Sequence, residues 1–263
     1  MNLTMNIIDA FTDTAFKGNS AAVIILDQWL SSELMQSIAI ENNLSETAFV
    51  RKGDNHHYQI RWFSPITEIA FCGHATLAAS FVLFRNYPEI DQLNFYAKAV
   101  GDLKISRQDD DYIEMQFPNR MPTIVNEIPD DLINGLSIKP DAVLLNEQAY
   151  FVVYGSETDV LEVTQNKSYL KKLAPFDVVV TAKSMEYDFI SRYFWPANGG
   201  DEDPVTGSIH AGLAPYWSAK LAKNELLAYQ ASKRGGFLKC RLEGDSVYVS
   251  GKAVHYLEGS INV

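Results

Sequence analysis

Apolar and polar positions along the chain change their period several times, and each change marks an element. Asn6 to Phe11 is a short apolar run that meets turn residues, as a strand does. Ala21 to Leu26 (AAVIIL) reads as a second strand, introduced by the turn Lys17-Gly18-Asn19. Ser31-Ser32-Glu33 then opens an amphipathic helix running to Glu41, with Leu34, Met35 and Ile38 turned inward. Leu44 to Val50 is a short loop feeding a strand, and Tyr58 to Phe63 is another strand. Gly73-His74 opens an apolar helix from Ala75 to about Arg85. Strands follow near residues 93–99, 103–107 and 112–117, and the prolines Pro118 and Pro122 mark a linker. Beyond it come strands near residues 142–145, 149–154 and 178–181 and a helix at about 168–173. A long apolar helix from about Ser208 to Leu221 and closing strands complete the pattern.

The two halves resemble each other. Arg61-Trp62-Phe63-Ser64-Pro65 recurs as Arg192-Tyr193-Phe194-Trp195-Pro196, 131 residues on. Each copy is followed by an acidic loop, a glycine and a helix: Gly73-His74-Ala75 in one half, Gly207-Ser208-Ile209 in the other. The same spacing sets Glu46 opposite Asp177, each at the threshold of a strand. A duplication accounts for this shared context better than chance does. It predicts two α+β domains, residues 1–118 and 119–251, with the last strand, about 252–263, a candidate to return to the first. Two such domains facing each other leave a cleft, a usual place for a small-molecule site.

Composition narrows the class of partner. The chain has 263 residues, 47% of them hydrophobic and 21% charged, the balance of a globular protein with a substantial core. No run approaches the roughly 18 apolar residues of a membrane-spanning helix. The N-terminus lacks the basic and apolar regions of a signal peptide. Two cysteines, Cys72 and Cys240, are too few for a disulfide framework and point to a reducing compartment, the cytoplasm. A net charge of −11 argues against nucleic acid or an anionic membrane as partner. It leaves room for a small anionic substrate, because helix ends act locally. No metal-ligand spacing stands out. His56 and His57 sit in a polar turn and read as solvated.

Three segments could carry chemistry. In Phe71-Cys72-Gly73-His74-Ala75-Thr76, unpaired N–H groups at a helix start attract a carboxylate, and His74 can donate a proton. The plainer reading makes Gly73 a packing glycine and His74 a cap. In Gly199-Gly200-Asp201-Glu202-Asp203-Pro204-Val205-Thr206-Gly207-Ser208-Ile209, three acids precede a second cradle in which the Ser208 hydroxyl adds a donor. Acids beside an anion site repel the anion unless one is protonated or reactive, which singles out Asp203; its plainer role is to cap its own loop. Glu46, in Leu44-Ser45-Glu46-Thr47-Ala48-Phe49-Val50, abuts an apolar strand. Desolvation there would raise its pKa into the range of a general acid–base, yet read alone it is better taken as an exposed strand-edge glutamate. Cys72 could be a lowered-pKa base or nucleophile. A two-thiol racemase needs a matching cysteine, and Cys240 lies in a strand instead, so both thiols read as buried and inert.

Taken together, these segments resemble the phenazine-biosynthesis (PhzF-like) family, relatives of diaminopimelate epimerase. The resemblance runs through Ile8-Asp9-Ala10-Phe11-Thr12-Asp13, Gly18-Asn19, Asn43 to Phe49, Cys72 to Thr76 and Glu202 to Ser208. It implies a duplicated diaminopimelate epimerase-like α+β fold, each domain a barrel-like, mostly antiparallel sheet around a central helix, with the active site in the cleft and homodimers common. It further implies a cofactor-independent isomerase that shifts a proton within a small carboxylate-bearing substrate. Glu46 would be the acid–base. His74 and Asp203 would steer protonation. Ser208 and the amides around Gly73, Ala75, Gly207 and Ile209 would hold the carboxylate. An epimerase using Cys72 and a silent binding protein are the alternatives. One departure is Ser20, where the family carries proline after Gly-Asn.

Overall fold

The computed structural model describes residues 1–53 and 57–263. Contacts divide the chain into two compact units, Met1–Gln116 with Ser250–Val263, and Phe117–Val249. Each is built from mixed strands and one long helix that is apolar on nearly every side.

The first unit opens with β1 (Asn2–Ala10) and β2 (Asn19–Leu26), an antiparallel pair in which Asp9 faces Ser20. The turn between them needs Gly18. Its φ is +64°, and a Cβ there would meet the Ala10 carbonyl oxygen at 2.1 Å. Helix α1 (Ser32–Asn42) is capped by the Ser31 hydroxyl, which accepts from Leu34 N at 3.2 Å, and ends at Asn43 in the left-handed region. It buries Met35, Ile38 and Ala39, worth roughly 1.5–3 kcal/mol for each large side chain, while Leu34 packs at the edge of the same cluster. That helix carries the chain across to β3 (Glu46–Lys52), parallel to β2. Next come β4 (His57–Phe63), antiparallel to β3, then β5 (Glu68–Ile69). Helix α2 (Gly73–Asn86) follows, with β6 (Gln92–Ala97), β7 (Gly101–Arg107) and β8 (Ile113–Pro118) after it. Every residue of α2 from Gly73 to Ser80 is buried, because it packs against β1, β2 and β3 at once. His57 begins a strand with its side chain exposed; His56 lies outside the described residues.

The second unit contains β9 (Thr123–Ile124), α3 (Asp130–Asn134), β10 (Ala142–Leu145), β11 (Ala149–Val153) and α4 (Glu157–Glu162). It continues through α5 (Lys167–Leu170), β12 (Asp177–Lys183), β13 (Phe189–Phe194) and β14 (Glu202–Asp203). Helix α6 (His210–Leu221), β15 (Glu225–Gln230), β16 (Gly236–Glu243) and β17 (Ser246–Gly251) complete the run. The final strand, β18 (Ala253–Asn262), pairs antiparallel with β1 in the first unit. Two sequence expectations need correction here. The helix expected near residues 168–173 is only the one-turn α5 followed by a 3-10 turn, Lys171–Leu173, since the backbone ahead of Pro175 disfavours helix. The long helix starts at His210 rather than Ser208. Its N–H bonds back to Gly207 O at 3.2 Å, three residues away, while the Thr206 carbonyl is taken by the His210 ring. Pro215 inside α6 removes a donor to Ala211 O, and the Arg120 N–H fills that place at 2.9 Å.

The duplication is visible in the pairings. Strand β2 runs parallel to β3, and β11 runs parallel to β12. Thr47 faces Phe63 as Val178 faces Phe194, each pair displaced by the same 131 residues. Arg61 grips Glu68 in one half with a 2.7 Å bond from Nε, and Arg192 grips Glu202 at 2.8 Å in the other.

Candidate active site

Glu46 is the first residue of β3, opposite Ala21 of β2 and one residue before the pairing with β4 begins, and it is only 8% exposed. The reading of it as an exposed strand-edge residue is therefore wrong: both flanks of the strand are paired. His74, second residue of α2, is also buried rather than standing at an open mouth. Its Nε2 lies 2.9 Å from Glu46 Oε2 as an ion pair, with the ring N–H not aligned on the oxygen. Its Nδ1 lies 3.4 Å from Cys72 Sγ and 3.1 Å from the Asn19 side-chain amide. Burial works against a charge on His74. The Cys72 sulfur and the Glu46 carboxylate work for it, and the pKa stands well above 6.5. We assign that direction to Glu46, because burial pushes the Cys72 thiol up to about 11 and keeps it protonated. The Asn19 amide can serve either state of the ring, offering its oxygen to a charged Nδ1–H or its N–H to a neutral Nδ1.

Asn19 escaped the sequence reading as a site residue. The signal was present in the Gly18-Asn19 turn, which delivers the amide to the helix start. Ser20, the departure from the family pattern, uses its hydroxyl to bond Asp9 across the β1–β2 pair. Ahead of the first helical bond in α2, from Thr76 N to Cys72 O at 3.1 Å, the amides of Gly73, His74 and Ala75 begin the helix, with only the Cys72 sulfur against the Ala75 amide. This is an arrangement that favours an anion.

The ligand-capable atoms of Glu46, Cys72 and His74 fall within 4.8 Å of one another, a grouping that sequence spacing conceals. Binding an ion there would require the Cys72 thiol to give up its proton and the Glu46–His74 contact to open. A cavity of about 680 Å³ elsewhere in this unit, lined by Trp29, Arg61, Trp62 and Tyr96, includes none of the expected site residues.

In the second unit the three acids part company. Asp201 pairs with Lys167 and Glu202 with Arg192. Asp203 Oδ2 accepts from the Thr206 hydroxyl at 2.5 Å, so it does tie its own loop. The fully buried Gln230 clamps that loop, accepting from Thr206 N at 2.9 Å and donating to Asp203 O at 2.8 Å. Gly207, Ser208 and Ile209 form the tight turn before α6, and their amides precede its first bond. Ser208 Oγ accepts from Gln148 Nε2 at 3.0 Å. Cys240 is buried in β16, and desolvation raises its thiol pKa far above the usual value.

The profile of the phenazine biosynthesis-like protein family matches residues 8–259. The chain belongs to the PhzF family. An uncharacterized isomerase of Halalkalibacterium halodurans is 45% identical, with 99% of both chains covered. An uncharacterized isomerase of Pseudomonas aeruginosa is 43% identical over the whole of both. A PhzF-family crystal structure from Enterococcus faecalis superposes with a TM-score of 0.93 at 41% identity, covering all of each chain. A hydroxyproline epimerase from Agrobacterium vitis, 10% identical with a TM-score of 0.64 over 99% of this chain and 92% of its own, shares the fold alone. This PhzF-family chain is thus an isomerase with the duplicated epimerase-like fold. Among the described residues, no helix is long and apolar enough to cross a membrane.

Proposed function

We propose that this isomerase moves a proton between carbons of a small carboxylate-bearing substrate, with Glu46 as the single acid–base and no bound cofactor. The observation that carries this reading is the buried Glu46–His74 pair at 2.9 Å in a PhzF-family chain. A carboxylate excluded from water and facing a histidine can take a proton from carbon, hold it without losing it to solvent, and return it elsewhere. His74 holds the ionised carboxylate in place and offsets its charge before the transfer; once Glu46 has taken the proton, the negative charge lies on the substrate. The amides of Gly73 and Ala75 suit a substrate oxygen that gains negative charge. On the family resemblance, Asp203 joins the catalytic group, and Gly207, Ser208 and Ile209 join the substrate contacts.

Use of Cys72 as the base is the second reading, favoured by its 3.4 Å approach to His74. A thiol pKa near 11 sets it back, since almost no thiolate exists near neutrality. The test begins with a thermal-shift screen of small carboxylic and amino acids, in which a ligand at a hundredfold excess over Kd adds about 2.7 kcal/mol. Hits are then incubated in D2O. Glu46→Gln should keep fold and ligand binding and lose deuterium incorporation by at least roughly 10²–10⁴-fold. Retained exchange in that variant removes Glu46 from the role.

A further inference from the structure

Asp177 opens β12 as Glu46 opens β3, and the internal repeat makes the two equivalent. The second carboxylate has been put to a different use. Its Oδ2 lies 2.7 Å from the Tyr193 hydroxyl, and its Oδ1 accepts from Asn198 Nδ2 at 2.8 Å. One atom of Gln148 reaches both the Tyr193 hydroxyl, at 3.1 Å, and Ser208 Oγ, at 3.0 Å. All these groups lie within the second unit.

The direction of every hydrogen bond in this chain follows from its charged end. Burial raises the Asp177 pKa, and the bonds from Tyr193 and Asn198 oppose that rise; in its ionised form the carboxylate only accepts, so Tyr193 donates its one proton to it. Burial, then the neighbouring Asp177, raise the Tyr193 pKa well above 10, so that proton stays in place. The Tyr193 oxygen can then only accept from Gln148, which fixes the shared Gln148 atom as the amide nitrogen. The second N–H of that nitrogen goes to Ser208 Oγ. The Ser208 proton is therefore turned away from Gln148. The amides of Gly207, Ser208 and Ile209 beside it present N–H groups of the same polarity.

We propose that Asp177, Tyr193 and Gln148 are positioning residues that lock the Ser208 hydroxyl as a hydrogen-bond donor, so that the substrate group received there is an acceptor, a carboxylate or carbonyl oxygen. The polarity of the relay stands on the network alone. Its link to substrate rests on the reading of Ser208 as a substrate contact in the proton-transfer isomerase.

Two measurements on the full chain separate these layers. Neutron diffraction from deuterium-exchanged crystals should show the Tyr193 deuteron on the line to Asp177 and the Ser208 deuteron off the line to Gln148. A Ser208 deuteron pointing at Gln148 overturns the relay, whatever binds. In solution, benzoate titrated into ¹⁵N-labelled protein should shift the amides of Gly207 to Ile209, and benzylamine should not. Tyr193→Phe frees the Gln148 amide to turn over, and should narrow the benzoate-to-benzylamine preference about tenfold, the worth of one charge-assisted hydrogen bond. A network that merely supports the fold would lower the melting temperature of that variant and leave the preference unchanged, which overturns the positioning role. If benzoate moves none of these amides in the wild type while the deuterons lie as expected, the carboxylate contact falls and the relay stands.

Discussion

His210 allows a stability prediction with both sign and size. It is the first residue of α6 and has no exposed surface. Its Nδ1–H donates to the Thr206 carbonyl at 2.9 Å, which bends the Thr206–Ser208 segment into its tight turn. Its Nε2 is buried with no hydrogen-bond partner among the described residues, and the Phe189 ring lies alongside. A second proton would leave a charge and an unpaired N–H in the core. Burial therefore lowers the pKa to about 4, although the carbonyls of Thr206 and Gly207 partly oppose it. Below pH 6.5 the unfolded chain takes up a proton that the native ring refuses. The stability from a neutral His210 is complete above about pH 6.5 and is lost as the pH falls through 4. A gap of about two and a half pH units at 1.36 kcal/mol each makes this roughly 3 kcal/mol. His210→Asn keeps a donor near the position of Nδ1 and cannot charge. Urea unfolding of both proteins between pH 7 and 4 should show the wild type losing roughly 3 kcal/mol more than the variant. The carboxylates titrate in both and cancel in the difference. Parallel pH curves would refute the reasoning.

Two further outcomes follow from the first unit. Cys72→Ala removes only a weak S–H contact and a small buried volume, so it should cost about 1 kcal/mol in denaturant titration and leave deuterium exchange into the substrate intact. Loss of exchange would instead support the thiol mechanism. Gly18→Ala forces a Cβ against the Ala10 carbonyl at a positive φ, and should destabilise by about 2 kcal/mol or more. It should also move the His74 ring signals in NMR, because Asn19 follows directly; unchanged His74 signals would show that the amide is positioned by something other than the turn.

Elements with a plain period and a plain boundary were readable from sequence. Helix α1 announced itself through the Ser31 cap and its inward Met35 and Ile38, and the strands around Val23, Val50 and Val180 through uninterrupted apolar runs. The start of α6 was not readable, because it depends on a side chain: the His210 ring takes the Thr206 carbonyl and so selects three-residue bonds over four-residue ones. Glu46 was misplaced for a related reason. A glutamate after a serine in a loop gives no sign that its strand has partners on both sides; that depends on β2 and β4, which close over it from distant sequence. Gln148 and Tyr193 were invisible as functional residues, since a glutamine in a turn and a tyrosine on a strand are commonplace. Only their shared 3 Å contacts distinguish them.

The repeat also bears on how many bases the enzyme has. A symmetric two-base site would keep a carboxylate and a helix-borne partner in both halves. The strand pairings and the Arg–Glu grips did stay alike, so the duplicated scaffold has preserved its frame. The loops between proline and glycine did not. From Pro65 to Gly73 is eight positions, and from Pro196 to Gly207 it is eleven. The longer loop in the second half contains β14 and the Asp203–Thr206 contact, and it ends in the tight turn that brings Ser208 to Gln148. In the first half the shorter loop leads directly into α2, so His74 meets Glu46. Asp177, the counterpart of Glu46, spends its charge on Tyr193 and Asn198. Of the two repeated carboxylates, then, only Glu46 is left facing a histidine at the start of a helix. If Glu46 acts as proposed, a shuttle that takes and returns the same proton suits this arrangement better than a pair of opposed bases.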